Sequence, residues 1–321
     1  MALLLPLLCS PEAFCRHNHS AGPHPVAGPE NSAENMTIKP YTILYKEQLS
    51  ASVFLMRIQA PHIAAERRPG QFILLSINHE YGERIPLTIA DADTAEGSIT
   101  IIFQAVGFTT KQLAQLPVGA ELAVLLGPLG RPTHIEKLGH VVCVGGGVGI
   151  APLHPIAKAF KQAGNRLTCI LGARSRELII LEKQFTALAD ELIICTDDGS
   201  AGRKALVTEP LQELCQSAQK PDQVVAIGPP VMMKFCVETV RPFDVPIVVS
   251  LNTIMVDGTG MCGGCRVTVG GETKFVCVDG PEFDGLKVDF DGMIRRLQAY
   301  RSQERRMDEG HECKLSKLEQ R

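Results

Sequence analysis

The chain has 321 residues, of which 45 % are hydrophobic and 21 % charged, with a formal net charge of −3. These are ordinary values for a soluble globular protein of two domains with a small appendage, and the mixed charge excludes a strongly basic surface for nucleic acid or an anionic membrane. Eleven cysteines could suggest a disulfide scaffold. Cys143, Cys169 and Cys195, however, stand singly inside apolar runs, as small core residues do, so a reducing, cytoplasmic setting is expected.

Residues 1–36 open with "MALLLPLLCS", which lacks a basic flank, is interrupted by Pro6 and is too short to span a bilayer. The Pro-, His- and Asn-rich stretch that follows is expected to be a disordered extension without a role. Met36 opens the first well-patterned segment.

Over 37–137 the runs "YTILYKEQL", "VFLMRIQ", "QFILLSI", "RIPLTIA", "SITIIFQA" and "ELAVLLG" have strand length and are separated by Pro, Gly and Asp turns. Six such strands in about a hundred residues predict an antiparallel β-barrel. From His140 the rhythm changes to strand, glycine loop, helix, strand, the alternation of a doubly wound parallel sheet, here assigned to 138–249. Residues 250–300 carry a cysteine loop and are read as a small C-terminal lobe. Residues 301–321 form a charged tail.

Three loops carry candidate chemistry. "GGGVGIAP", 145–152, follows a strand. Gly145 and Gly147 fit G-x-G-x-x-G, but Ile150 fills its last place. A tight turn without a ligand is the bland alternative. Four glycines in five residues at the first strand of a parallel sheet favour a dinucleotide, because glycines permit close approach of phosphate to a helix N-terminus. Pro152 suits the first helical turn. "RIPLTIA" at 84–90, taken alone, reads as an edge strand beside a surface arginine. "VGFTTKQL" at 106–113 adds a second helix start, with Thr109 as the expected N-cap.

In this order and spacing the three loops resemble the ferredoxin–NADP reductase superfamily. The resemblance implies flavin (FAD) contacts at Arg84, Pro86, Leu87, Thr88, Gly107, Thr109 and Thr110, with Thr88 near the flavin ring. It implies pyridine-nucleotide contacts at Gly145, Gly146, Gly147, Gly149 and Pro152, and at Gly228 and Pro229 of "GPPVMM". The superfamily often has a cysteine before that glycine; here Ile227 stands there, so no thiol role is carried over. After the second strand come Arg174, Ser175, Arg176 and Glu177, a mixture that fits neither an NAD nor an NADP rule cleanly. NAD(H) is expected and NADP(H) is an alternative.

In "DGTGMCGGC", 257–265, Asp257, Cys262 and Cys265, with Cys277 after eleven intervening residues, give D-x4-C-x2-C-x11-C. With Cys in place of Asp this is plant-type 2Fe–2S spacing. A zinc knuckle would want paired C-x2-C units or histidines, and no histidine lies between Thr259 and Glu309. Three unrelated cysteines would not reproduce the intervals. The loop resembles the small-subunit family of NADH-dependent ferredoxin–NADP oxidoreductases, also known as sulfide dehydrogenases, whose cluster has one Asp and three Cys ligands. The electron-transfer subunits of dihydroorotate dehydrogenase B share the architecture with four cysteines. The resemblance covers Thr37 to Tyr300 and implies Asp257, Cys262, Cys265 and Cys277 as metal ligands. It also implies an oxidoreductase subunit that passes electrons to a larger flavin and iron–sulfur partner, and through it to ferredoxin, with neither nucleic acid nor membrane involved. No further catalytic side chain is expected, and His79, His134 and His154 are read as surface or packing residues.

Overall fold

A computed structural model describes residues 41–78 and 82–303. The extension 1–36, the last residues of the charged tail and His79 lie outside the described residues.

Six strands form the first sheet: β1 (Ile43–Gln48), β2 (Val53–Gln59), β3 (Phe72–Ser76), β4 (Ile85–Asp93), β5 (Ser98–Gln104) and β6 (Val124–Leu129). A short helix α1 (Pro61–Glu66), not expected from the sequence, follows β2, and α2 (Phe108–Gln115) follows β5. The order is β1-β2-β5-β4-β3-β6, all antiparallel. A bridge from Thr42 to Glu121 returns the start of β1 to the segment before β6 and closes the barrel. Alternate residues point inward, so Ile43, Met56, Ile58, Ile73, Leu75, Ile99 and Ile101 fill it and are almost wholly buried.

The second sheet begins with β7 (His140–Gly146), α3 (Ile150–Gln162), β8 (Arg166–Ala173), α4 (Glu182–Leu188) and β9 (Glu191–Thr196). It continues through β10 (Arg203–Lys204), α5 (Thr208–Gln216), β11 (Gln223–Ile227), α6 (Pro230–Val240) and β12 (Ile247–Ser250). The strands run parallel in the order β10-β9-β8-β7-β11-β12. Such strands are buried on both faces and read as apolar runs; all seven residues of β7 are buried. The direction of winding reverses between β7 and β11. That switch point opens a crevice at the carboxyl ends of the two strands, where open α/β sheets bind ligands.

The remaining elements are the hairpin β13 (Arg266–Val269) and β14 (Glu272–Phe275), the single turn α7 (Val276–Asp279), β15 (Glu282–Asp284) and α8 (Phe290–Leu297). Strand β15 pairs antiparallel with β12. The segment read from sequence as a separate lobe thus adds an edge strand to the parallel sheet.

Two cores tie these parts together. On one face of the parallel sheet, Ile150, Leu153, Ile156 and Phe160 of α3 pack with Val53, Ala90 and Ile102 of the barrel. Full burial of side chains of this size stabilises by about 1.5–3 kcal/mol each. On the other face, Phe72 and Leu74 of β3 share a cluster with Met255, Cys265 and Cys277. Barrel, sheet and cysteine loop are therefore held in fixed register.

Candidate active site

A single cleft of about 1460 Å³ runs between barrel and sheet. It exceeds the roughly 300–1,000 Å³ of a pocket for one small ligand. At one end it is lined by Pro86, Leu87 and Thr88 of β4 and by Thr110 of α2. Gly146, Gly147, Gly149 and Pro152 form its middle, facing Gly228 and Pro229. Arg174 and Asp197 stand toward the far end of the sheet. Ser250, Asn252 and Met255 carry the wall to the foot of the cysteine loop.

Not every expected residue faces this space. Arg84 is exposed one residue before β4 and does not line the cleft. Helix α2 is capped by Gly107, not by Thr109 as the sequence suggested. Thr109 lies two positions past the cap; it is buried and its hydroxyl donates to Glu83. The capping is done by Thr110, whose Oγ1 accepts from the Val106 N–H at 3.1 Å and the Gly107 N–H at 3.0 Å.

The glycines of the 145–149 loop divide by role. A Cβ on Gly145 would meet Leu153 and Ile150 at 3.0–3.1 Å, and one on Gly149 would lie 2.5 Å from the Ile227 carbonyl oxygen. A Cβ on Gly146 would meet Met232 Sδ at 2.2 Å, and one on Gly228 would be 3.2 Å from the Gly146 Cα. These four let helix, strand and the 228–232 turn close on one another. Gly147 differs: its φ is +55° and nothing lies within 4 Å of a Cβ there, so its backbone is bare toward the cleft. Pro152 lies in the first turn of α3, as expected.

After β8, Arg176 pairs with Glu182 at 2.7 Å while Arg174 lines the cleft. His134 is exposed beside Glu136 at 3.6 Å. His154 packs edge-on against Phe185 at 5.4 Å, and burial lowers its pKa.

In the cysteine loop, Cys265 and Cys277 are buried with their sulfurs 3.3 Å apart. Two thiolates on one tetrahedral metal, with bonds of about 2.3 Å, would stand roughly 3.7 Å apart. Burial, then the neighbouring Cys265, pushes the Cys277 thiol up to about 12; a metal ion is what ordinarily ionises such a thiol at neutral pH. Cys262 is exposed and accepts from the Gly264 N–H at 3.4 Å. Asp257 Oδ1 accepts from Thr259 N–H at 2.9 Å and Oδ2 from Cys262 N–H at 3.2 Å. These amide bonds, the Thr259 bond first, hold its pKa below the usual carboxylate value. Among the described residues no three of His, Cys, Asp and Glu converge closely enough to enclose a metal ion. Two of the four expected ligands therefore meet, and Asp257 and Cys262 stand on the loop rim. The donor set still suits a cluster: Asp257 binds the Cys262 amide, and its charge is felt at Cys277.

Gly258 and Gly260, with φ of +75° and +81°, draw the loop against Leu74 and Leu129 of the barrel and against Val278. The loop thus abuts the barrel directly.

An oxidoreductase NAD-binding domain model matches residues 143–238. The iron–sulfur cluster binding domain of dihydroorotate dehydrogenase B matches residues 252–289. A dihydroorotate dehydrogenase B (NAD(+)) electron transfer subunit homolog of Thermotoga maritima is 50 % identical, over 82 % of this chain and 92 % of its own. The chain belongs to this electron-transfer subunit family. The Fusobacterium nucleatum dihydroorotate dehydrogenase B electron transfer subunit, another relative, is 31 % identical over 80 % of this chain and its whole length. A chain in a solved structure of the NADH-dependent reduced ferredoxin–NADP oxidoreductase is 49 % identical, with a TM-score of 0.79 over 83 % of this chain and 96 % of that one. The ferredoxin reductase of carbazole 1,9a-dioxygenase, 20 % identical with a TM-score of 0.54, shares the fold. The barrel, the parallel sheet and the family stand as the sequence suggested, and the iron–sulfur domain match sets the zinc knuckle aside. The chain is an oxidoreductase electron-transfer subunit with NAD-binding and iron–sulfur domains.

Sequence reasoning missed several residues of the site. Asn252 and Met255 reach the cleft only through the path of the chain after β12. Arg266 and Arg296 touch the cysteine loop from behind, and a residue 31 positions beyond Cys265 carries no local signal of that contact.

Proposed function

We propose that the chain passes electrons between NAD(H), FAD and a 2Fe–2S cluster, and onward to a larger partner subunit with its own flavin and iron–sulfur centres, ferredoxin being reached through that partner. One observation carries this reading: a single cleft joins the barrel strand β4, the glycine turns of the sheet and the foot of the cysteine loop. When bound, a flavin exchanges a hydride with a nicotinamide and single electrons with a cluster, which makes it the two-to-one converter.

The chain's residues supply positions. Pro86, Leu87 and Thr88 offer an apolar wall with one hydroxyl for the flavin ring. Thr110 and Gly107 organise the start of α2 toward the flavin phosphates; Arg84, exposed just before β4 and outside the cleft lining, would have to turn inward to pair with them. Bare Gly147 faces the nucleotide phosphates at the start of α3, and Gly228 and Pro229 flank the nicotinamide end. Asp257, Cys262, Cys265 and Cys277 hold the cluster. Since Arg176 is engaged by Glu182, NAD(H) is favoured, with Arg174 the cation closest at hand for a 2′-phosphate. Working divisions are 37–137 for FAD, 138–249 for NAD(H) and 250–300 for the cluster, in a cytoplasmic protein. No described helix is long and apolar enough to cross a membrane.

Identity does not separate the two types, since the ferredoxin–NADP oxidoreductase chain stands at 49 % and the Thermotoga dihydroorotate dehydrogenase B subunit homolog at 50 %; Asp257 in place of a fourth cysteine favours the former as the functional type. The test is NADH oxidation by the full chain with an artificial dye, compared with turnover of ferredoxin and NADP after co-expression with a large subunit. Dye reduction by the lone chain and natural turnover only with the partner are expected. Natural turnover by the lone chain would make it a self-sufficient reductase.

A further inference from the structure

Behind the cysteine loop lies a groove of about 500 Å³ lined by Arg266, Arg295 and Arg296 together with Thr268 and Thr273. Two of these arginines reach into the loop. Arg266 Nη1 donates to the Gly263 carbonyl at 3.0 Å, and Arg296 Nη2, from α8, donates to the Gly264 carbonyl at 3.1 Å. The cis peptides among the described residues are Gly127–Pro128 and Gly280–Pro281, so the peptides of 263–265 are trans. In a planar trans peptide the C=O and N–H point in opposite directions. Drawing the Gly263 carbonyl toward Arg266 therefore aims the Gly264 N–H the other way, where it donates to Cys262 Sγ at 3.4 Å. Drawing the Gly264 carbonyl toward Arg296 likewise turns the Cys265 N–H away from the groove, to the thiol side of the loop. Gly263 adopts φ +67°, and the two glycines have no side chain to obstruct either peptide.

We propose that Arg266 and Arg296 are positioning residues that set the cluster's reduction potential through the Gly263–Gly264 and Gly264–Cys265 peptides. This rests on the reading that the loop holds a cluster. Amide donors aimed at ligand sulfurs, and positive charge behind them, favour the form carrying the extra electron and raise the potential. Arg295 lines the same groove, but its guanidinium is the charge without the loop contact, and exposed charge is screened by salt.

The experiment compares full chains carrying Arg266→Gln, Arg296→Gln, the corresponding Lys variants and Arg295→Gln. Iron content, the cluster's midpoint potential by EPR-monitored titration, and hydrogen exchange at the Gly264 and Cys265 amides are measured. Both Gln variants are expected to keep iron, shift to lower potential and exchange the amide beyond the lost contact faster. Lys, which can still donate one bond, should recover most of the shift, and Arg295→Gln should move little. A shift no larger than that of Arg295→Gln, or unchanged amide exchange, would overturn the proposal. If a Gln variant sheds iron, its Lys counterpart gives the potential and the amide exchange still decides. Wild-type protein without iron would instead defeat the cluster reading itself, a separate outcome from iron present with potentials unmoved.

Discussion

Asp257 accepts two loop amides and is the proposed fourth ligand, so a turn role and a ligand role can be separated by substitution. Asp257→Cys keeps a donor at that position and should retain two irons per chain with a shifted potential, because thiolate is softer than carboxylate. Asp257→Ala should leave one iron short of a ligand and the cluster labile to chelator. An unchanged spectrum and potential in the Ala variant would reduce Asp257 to a turn residue. Glu282 gives a second test at this scale. Its side chain is only partly accessible, it accepts from Thr133 Oγ1 at 2.6 Å beside Gly70, and burial pushes its pKa up to about 7 against an ordinary 4.5. The folded value lies above the unfolded one, so this contribution is fully present below the ordinary value and is lost as pH rises through 7. Denaturant titrations should show Glu282→Gln gaining roughly 2–3 kcal/mol on the wild type between pH 5 and pH 8. A difference independent of pH would place an ionised carboxylate there at both values.

Among the elements, the 145–152 turn offers the sharpest contrast. Gly149→Ala places a methyl against the Ile227 carbonyl and should cost about 1–3 kcal/mol as overpacking, lowering the melting temperature. Gly147→Ala meets no atom; it should cost about 1–2 kcal/mol for its left-handed conformation and chiefly raise the Kd for NADH. Equal loss of NADH affinity with unequal stability would show that Gly147 does not face the nucleotide. The same turn shows what sequence can carry. A run of glycines announces a close backbone approach, but not whether the neighbour is a phosphate or a carbonyl of the same chain. Strands β1 to β6 were legible because their patterning and turn residues are local. Helix α1 was not, having six residues and no cap signal, and Thr109 was taken for a cap because it and Thr110 offer the same hydroxyl one position apart. The pairing of β15 with β12, and the reach of Arg296 into the loop, depend on tertiary packing that no local pattern encodes.

At the scale of the whole molecule, one cleft and one loop against one barrel make the chain a conduit. Electrons that enter as a pair from a nicotinamide must leave singly near a surface. The loop rim, with Met261 88 % exposed and Val256 55 % exposed, is where a partner would meet it. Purified full chain should therefore contain one FAD, released on denaturation, and about two irons. The most direct measurement is an anaerobic titration of that protein with NADH, followed by visible absorption and low-temperature EPR. Bleaching of the flavin together with the signal of a reduced 2Fe–2S cluster, at two irons per chain, is the expected result; zinc in place of iron, or flavin reduction that never reaches a cluster, would contradict it.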